Sequence, residues 1–139
     1  MRHTATLTLH WLSLVLLILL MAGGPRPALA LAFGLSGLAM CAIALISGLM
    51  NGPGPTLQGL LRRAHPWLSR AMYAALGLAA GLTLWAQISG KPNAATLGDI
   101  YVYLLAASAL HGIFHLWRHT ALSDGALRRI TPKSMHGIL

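Results

Sequence analysis

Four long apolar stretches constrain the fold of this chain more than any other feature of its sequence. They cover about residues 5–22, 28–50, 66–89 and 98–117, and most of the charged residues lie between them. Each stretch is close to the roughly 20 residues that an α-helix needs to cross about 30 Å of hydrocarbon. A soluble amphipathic helix would keep one polar face, which these stretches lack. The sequence therefore predicts one all-α domain over residues 1–139, folded as a transmembrane four-helix bundle.

The basic residues predict how this bundle is oriented in the membrane. If the helices alternate in direction, only Arg26 and Lys91 of the ten Lys and Arg residues lie at one end, which leaves eight at the other. The positive-inside rule places the more basic end, with both termini, in the cytoplasm. Most of these basic residues lie between the apolar stretches and do not form a stripe along one helix face. The net charge of +8 therefore does not indicate a nucleic-acid partner. The four helices are expected to be surrounded by membrane lipid.

Glycine and proline predict where the helices end, since neither continues a helix easily. The third helix is expected to begin near His65 and Pro66, because proline suits a first helical turn. Gly77 and Gly81 form a G-x-x-x-G pair in that helix. Two interpretations of the pair stay open, which are close helix packing and clearance for a flat cofactor. Beyond Arg118 the chain becomes polar, and a short interfacial segment is expected at about residues 124–129.

Seven histidines in so apolar a chain require an explanation, because a polar ring in hydrocarbon costs free energy unless it finds a partner. All of them fall toward the predicted cytoplasmic end: His3, His10, His65, His111, His115, His119 and His136. Counted from the flanking arginines at about 1.5 Å per residue, His10 lies roughly 12 Å inside the membrane and His111 roughly 10 Å. Matched depth is what two axial ligands of one haem iron require when they face each other across a bundle.

Three other interpretations of these histidines stay open. His115 shares a helix face with His111 through their i, i+4 spacing, and is the second choice for the iron ligand. His10 and His111 could instead be structural residues that only make hydrogen bonds. A zinc site could combine His111, His115 and a third histidine, although neither of the two carboxylates, Asp99 and Asp124, is expected at that depth.

Several short motifs together resemble the bacterial cytochrome b561 family. They are Leu9-His10-Trp11-Leu12, the histidines His111 and His119, the run Asp124-Gly125-Ala126-Leu127-Arg128-Arg129, and Pro132. The resemblance covers most of the chain in order and spacing. It implies a multi-pass cytochrome of the bacterial inner membrane that holds b-type haem and exchanges electrons with membrane quinol. The family's cytoplasmic haem is ligated from the first helix and from the middle of the fourth, which maps onto His10 and His111.

The chain departs from this family in its predicted periplasmic half. Family members usually hold a second haem there, ligated by histidines near the start of the second helix and at the start of the fourth. The matching regions, about residues 32–37 and 95–98, contain no histidine. The resemblance therefore implies one haem b per chain. Electron transfer would then be confined to the cytoplasmic half of the membrane or to a neighbouring protein.

We expect further residues to serve a cytochrome of this kind, in which the role of quinol itself is what the resemblance implies. Trp11 would pack beside the haem, and Arg63 or Arg70 would pair with its propionates. His65 or His119 would accept the proton of the quinol, with ubiquinone as the oxidised partner, since imidazole titrates near neutral pH. The expected activity is electron transfer, and if the protein is an enzyme the reaction is the oxidation of quinol.

An alternative function of another class is that of a non-enzymatic accessory subunit in a larger respiratory or photosynthetic complex. The small size of the chain and the lost haem site favour this alternative.

Overall fold

The computed structural model describes residues 2–50 and 52–137, so residues 1, 51, 138 and 139 of the predicted domain lie outside the described part. Four long helices account for most of it, at α1 (Arg2–Gly23), α2 (Pro27–Ser47), α3 (Gly59–Ser89) and α4 (Ala94–Ala121). Two short 3-10 helices follow, at Leu127–Arg129 and Lys133–Met135. All four long helices are long and apolar enough to cross a membrane. The prediction of an all-α bundle of four candidate membrane-spanning helices is confirmed.

Local sequence explains where these helices begin and end. Pro27 lies in the first turn of α2, where its missing N–H would have had no partner within the helix. The side-chain oxygen of Asn93 accepts a hydrogen bond from the N–H of Thr96 at 2.9 Å and caps the start of α4. Gly90, with φ of 69°, ends α3 in the left-handed conformation that favours glycine.

The third helix begins at Gly59, about two turns before the predicted start near His65 and Pro66, and Pro66 lies inside it. The missing N–H of Pro66 removes one backbone hydrogen bond, while the leucines and arginines before it are good helix formers. Arg62 also ties this first turn to the preceding loop, because its Nη1 donates a hydrogen bond of 2.7 Å to the carbonyl of Gly54. Together these contributions extend α3 toward water beyond its apolar part.

Consecutive helices are antiparallel, so both ends of the described chain lie at the same end of the bundle. We call this the basic end; it carries the start of α1, the loop between α2 and α3, and the residues after α4. Two hydrogen bonds join the chain ends there, from Trp11 Nε1 to the carbonyl of Ile130 at 2.8 Å and between His3 Nε2 and the carbonyl of Arg129 at 3.2 Å. The most extensive helix interface is that of α2 with α3, and α1 contacts both α2 and α4.

The half of the bundle away from the basic end is filled by packed side chains. The cluster comprises Leu16, Leu17, Leu20, Ala30, Phe33, Ala79, Ala80, Leu97, Tyr101 and Leu104. The rings of Phe33 and Tyr101 meet edge to face with centroids 5.8 Å apart. The Tyr101 hydroxyl also shares a 3.0 Å hydrogen bond with the buried hydroxyl of Thr83, so this polar pair is satisfied inside the apolar core.

Two glycines of α2 bring this helix close to α3. A Cβ atom on Gly37 would lie 2.9 Å from the Cβ of Ala80, which is closer than real Cβ atoms approach. A Cβ atom on Gly34 would collide with the side chain of Leu84. Small residues at a helix interface allow the backbones to approach, and van der Waals packing is a main source of helix association in a bilayer.

Candidate functional site

A cavity of about 270 Å³ lies next to the basic end and extends inward as far as Leu17, Phe33 and Leu104 of the packed cluster, which form its inner wall. All four helices contribute to its wall, as do residues after α4. Four histidines line it, His10 from α1, His65 from α3, and His111 and His115 from α4. Much of the remaining wall is apolar, and includes Leu14, Leu17, Phe33, Met40, Leu76 and Leu104. Histidines that are far apart in sequence therefore converge on one largely apolar cavity.

His111 and His115 lie one turn apart on α4, and their rings contact each other. Their Nε2 atoms are 3.1 Å apart in a hydrogen bond, and the ring planes cross at 80° with centroids 4.5 Å apart. One imidazole of such a pair must donate an N–H and the other must accept it through a lone pair. His115 is buried, with 4% of its surface exposed, whereas His111 is half-buried. The pairing satisfies one nitrogen of each ring.

Two other imidazole nitrogens in the cavity wall have no hydrogen-bond partner among the described residues. They are the Nδ1 atoms of His65 and His115, and both side chains are buried. The His65 ring also lies near the ring of Phe114, with centroids 6.2 Å apart, which is an apolar contact. A buried polar atom without a partner costs free energy. Each of these nitrogens therefore marks a place where a bound molecule could supply the missing contact.

Trp11 lines the cavity beside His10, and its predicted place beside a haem stays a prediction. The two rings meet edge to face with centroids 5.9 Å apart. The indole Nε1 donates a hydrogen bond to the carbonyl of Ile130 at 2.8 Å. The Trp11 ring therefore serves both as a wall of the cavity and as a contact to the residues after α4.

The other predicted site residues lie outside this cavity. Arg63 and Arg70 are exposed on α3, and neither is among the described residues of the cavity wall. The guanidinium of Arg70 lies over the ring of Trp67, 5.1 Å from its centroid, which holds it on the outer surface of the helix. His119 is half-buried and is also not among those wall residues. The roles predicted for these three residues stay predictions.

The sequence did not predict a buried ion pair at the end of α4. Arg118 is only 1% exposed, and its Nε donates a 2.7 Å hydrogen bond to Oδ2 of Asp124. Its Nη2 donates to the same carboxylate oxygen and, at 2.7 Å, to the carbonyl of Pro53. The other oxygen of Asp124 accepts the N–H of Ala126 at 2.8 Å. A usable indication was present in the sequence, because Asp124 is one of only two carboxylates beside ten basic residues.

No protein-family profile, curated protein or solved structure matches the chain. The residues of the cavity themselves indicate which chemistry it supports. Neutral imidazole nitrogens are common ligands of transition metals, including haem iron. Among the described residues, no group of three or more His, Cys, Asp or Glu side chains is arranged to hold a bare metal ion. This arrangement does not favour the zinc site that the sequence left open.

Proposed function

We propose that the chain is a membrane b-type cytochrome that holds one haem between His10 of α1 and His111 of α4. The observation that carries this proposal is the convergence of four histidines from three helices on one largely apolar cavity. Histidines that served only to satisfy one another would pack together without an apolar space beside them. The motif resemblance to the bacterial cytochrome b561 family supports the same pair of ligands.

The cavity residues fit a haem by their chemistry. Leucine, phenylalanine and methionine side chains in the wall suit an apolar macrocycle, and imidazoles suit its iron. His10 and His111 lie on helices that contact each other, and both line the same cavity. Ligation through Nε2 of His111 would replace its hydrogen bond to His115. The chemistry that a bound haem supplies is the transfer of one electron at a time.

The remaining cavity residues would serve this electron transfer by handling protons and excluding water. We assign the proton released by a quinol to His65 and not to His119, since His65 lines the cavity with an unsatisfied Nδ1. His115 would provide a second polar side chain in the cavity wall, one turn from His111 on α4. Apolar wall residues would keep bulk water from the site, which strengthens the electrostatic interactions inside it.

Topology is part of the same proposal. The protein would lie in the bacterial inner membrane with the basic end in the cytoplasm, because eight of its ten Lys and Arg residues are at that end. Quinol or another redox partner would then exchange electrons in the cytoplasmic half of the bilayer. The packed core of the opposite half supports the expectation of a single haem.

Visible spectra of histidine variants of the purified full chain test this proposal. The native chain should show the sharp reduced spectrum of a low-spin b haem. His10→Ala and His111→Ala should each lose it, since each removes one of two axial ligands. His3→Ala and His136→Ala are matched controls, because neither residue is among the described residues of the cavity wall, and both should keep the spectrum. A native chain without haem, or ligand variants with an unchanged spectrum, would contradict the assignment.

A further inference from the structure

The residues that follow α4 fold back across the cavity at the basic end. We call residues 124–131 the strap. Leu127, Ile130 and Thr131 of the strap line the cavity, and Ile130 and Thr131 are each only 8% exposed. The strap is therefore part of the cavity wall, although it belongs to none of the four long helices.

The strap is fastened on two sides of the cavity. On the α4 side, the buried Arg118 pairs with Asp124 at the start of the strap and also donates to the carbonyl of Pro53. On the α1 side, Trp11 Nε1 donates to the carbonyl of Ile130 near the end of the strap. His3 adds a second hydrogen bond on the α1 side, between its Nε2 and the carbonyl of Arg129 at 3.2 Å. The contacts on the α4 side and on the α1 side therefore hold opposite ends of the strap.

The loop between α2 and α3 is shaped to fit the first fastening. Gly54 has φ of +74°, a conformation that side chains rarely allow. A Cβ atom there would lie 2.7 Å from Nη2 of Arg118 and 3.1 Å from Oδ2 of Asp124. Arg129 adds a third contact, because its Nη2 donates to the backbone carbonyl of Asp124 at 2.7 Å. The ion pair is thus enclosed by the loop, α4 and the strap itself.

We propose that the strap is a gate that closes the histidine cavity to water and to water-soluble ligands at the basic end. Asp124 and Trp11 hold it closed. A buried ion pair has a defined closed arrangement, and opening it returns both charges to water, which is the behaviour of a two-position element. This inference concerns the cavity itself and stands whether or not haem is its ligand.

Thiol accessibility inside the cavity tests the gate. Ser108 lines the cavity on α4, and Ser108→Cys is a small change that can be made in a Cys41→Ala background. Lys133→Cys in the same background is the control, since this position is exposed just beyond the strap. The full chain is prepared from haem-deficient cells and treated with a permanently charged thiol reagent, which travels through water and not through lipid. Rates are compared with the native strap, with Asp124→Asn and with Trp11→Phe.

With the native strap, the thiol at position 108 should react at least about tenfold more slowly than the thiol at position 133. Asp124→Asn and Trp11→Phe should each accelerate the reaction at position 108 by about tenfold and leave position 133 unchanged. Trp11→Phe keeps the ring and removes only the N–H donor, so it answers the question if Asp124→Asn folds poorly. Equal rates at the two positions with the native strap, or an unchanged rate at position 108 in the variants that fold, would overturn the gate. The haem spectrum of the native chain decides the proposed function separately.

Discussion

His111 and His115 have different surroundings, although they lie on the same face of α4. His115 is buried nearer the end of the helix, with Phe114 and the charge of Arg118 close by, whereas His111 is half-buried deeper in the bundle. Counted along each helix from the basic end, His10 lies eight residues inside α1, whereas His111 lies ten and His115 six residues inside α4, so depth alone does not separate the two. The two histidines should have separate roles, one as iron ligand and the other as a polar neighbour in the cavity wall.

His115→Ala should keep the low-spin haem spectrum and change only the reduction potential of the haem. The reason is that His115 lines the cavity one turn from the proposed ligand and does not replace it, and the polarity around a haem tunes its potential. Redox titration monitored by visible absorption measures both properties, with His111→Ala as the comparison. Loss of haem from His115→Ala together with retention in His111→Ala would move the ligand one turn nearer the basic end.

Asp124 should contribute more to stability than any other carboxylate of the chain can. Its side chain and that of Arg118 are 0% and 1% exposed, so Asp124→Asn would leave a buried guanidinium without its counter-charge. Removing one partner of a buried ion pair costs about 3–5 kcal/mol. Asp99→Asn is the natural control, because Asp99 is exposed, and it should change the free energy of unfolding by less than about 0.5 kcal/mol. Unfolding of both variants in mixed micelles measures the difference, and equal effects would show that the ion pair is not stabilising.

The four helices differ in how closely they pack, and glycine placement on α2 is the cause. Gly77 and Gly81 of α3 form the recognisable G-x-x-x-G pair, yet a Cβ atom on Gly81 would meet no described atom within 4 Å. A Cβ atom on Gly77 would lie 3.3 Å from Sγ of Cys41 on α2, so one glycine of the pair faces that helix and the other does not. The closest approaches occur at Gly34 and Gly37 of α2, which spacing within α3 alone does not reveal.

Gly37→Ala should destabilise the bundle, while Gly81→Ala should not. The new methyl group at position 37 would press against Ala80 and force α2 away from α3, and overpacking of this kind typically costs about 1–3 kcal/mol. At position 81 the methyl group has room, and replacing a helical glycine by alanine gains about 0.5–1 kcal/mol. Thermal unfolding of both variants in the same detergent compares them. A stability loss at position 81 equal to that at position 37 would contradict this packing arrangement.

Helix positions were largely predictable because each depends on a local property of the sequence. Continuous apolar runs gave the number of helices, and Gly90 and Pro27 explain two of their ends. The start of α3 was not predictable, since Pro66 reads as a first-turn residue while the favourable residues before it continue the helix. At such a position the preference of proline for a first helical turn opposes the helix propensity of the residues before it. The sequence alone does not show which of the two preferences is stronger.

The site was predictable only in part. The position of histidines along the chain indicated that they gather at one end, and four of them line one cavity. Their roles as haem ligands stay predictions. The Arg118–Asp124 pair and the strap depend on how the chain folds back after α4, which no local pattern specifies. For the same reason the sequence did not reveal that Arg63 and Arg70 lie on the outer surface of α3.

The molecule as a whole divides into two halves of different character. The half at the basic end contains the cavity, the histidines and the strap, whereas the opposite half is a packed core with one satisfied polar pair. A second haem in that core would require both axial ligands and a large space. Neither of the two regions where the resembled family has these ligands, residues 32–37 and 95–98, contains a histidine. Phe33 and Leu97 are fully buried there.

The protein should therefore hold one haem per chain and exchange electrons only at its basic end, which we propose to face the cytoplasm because eight of the ten Lys and Arg residues lie there. Haem and protein assays on the same sample should give a ratio near one. In membrane vesicles of defined orientation, a reductant that does not cross lipid should reduce the haem rapidly only when the basic end faces the reductant. Reporter fusions at Gly24 and Pro92, at the opposite end, identify the orientation independently. Two haems per chain, or equal reduction from both faces, would mean that ligands other than histidine operate in the packed half, and confinement of electron transfer to one face would fail with it.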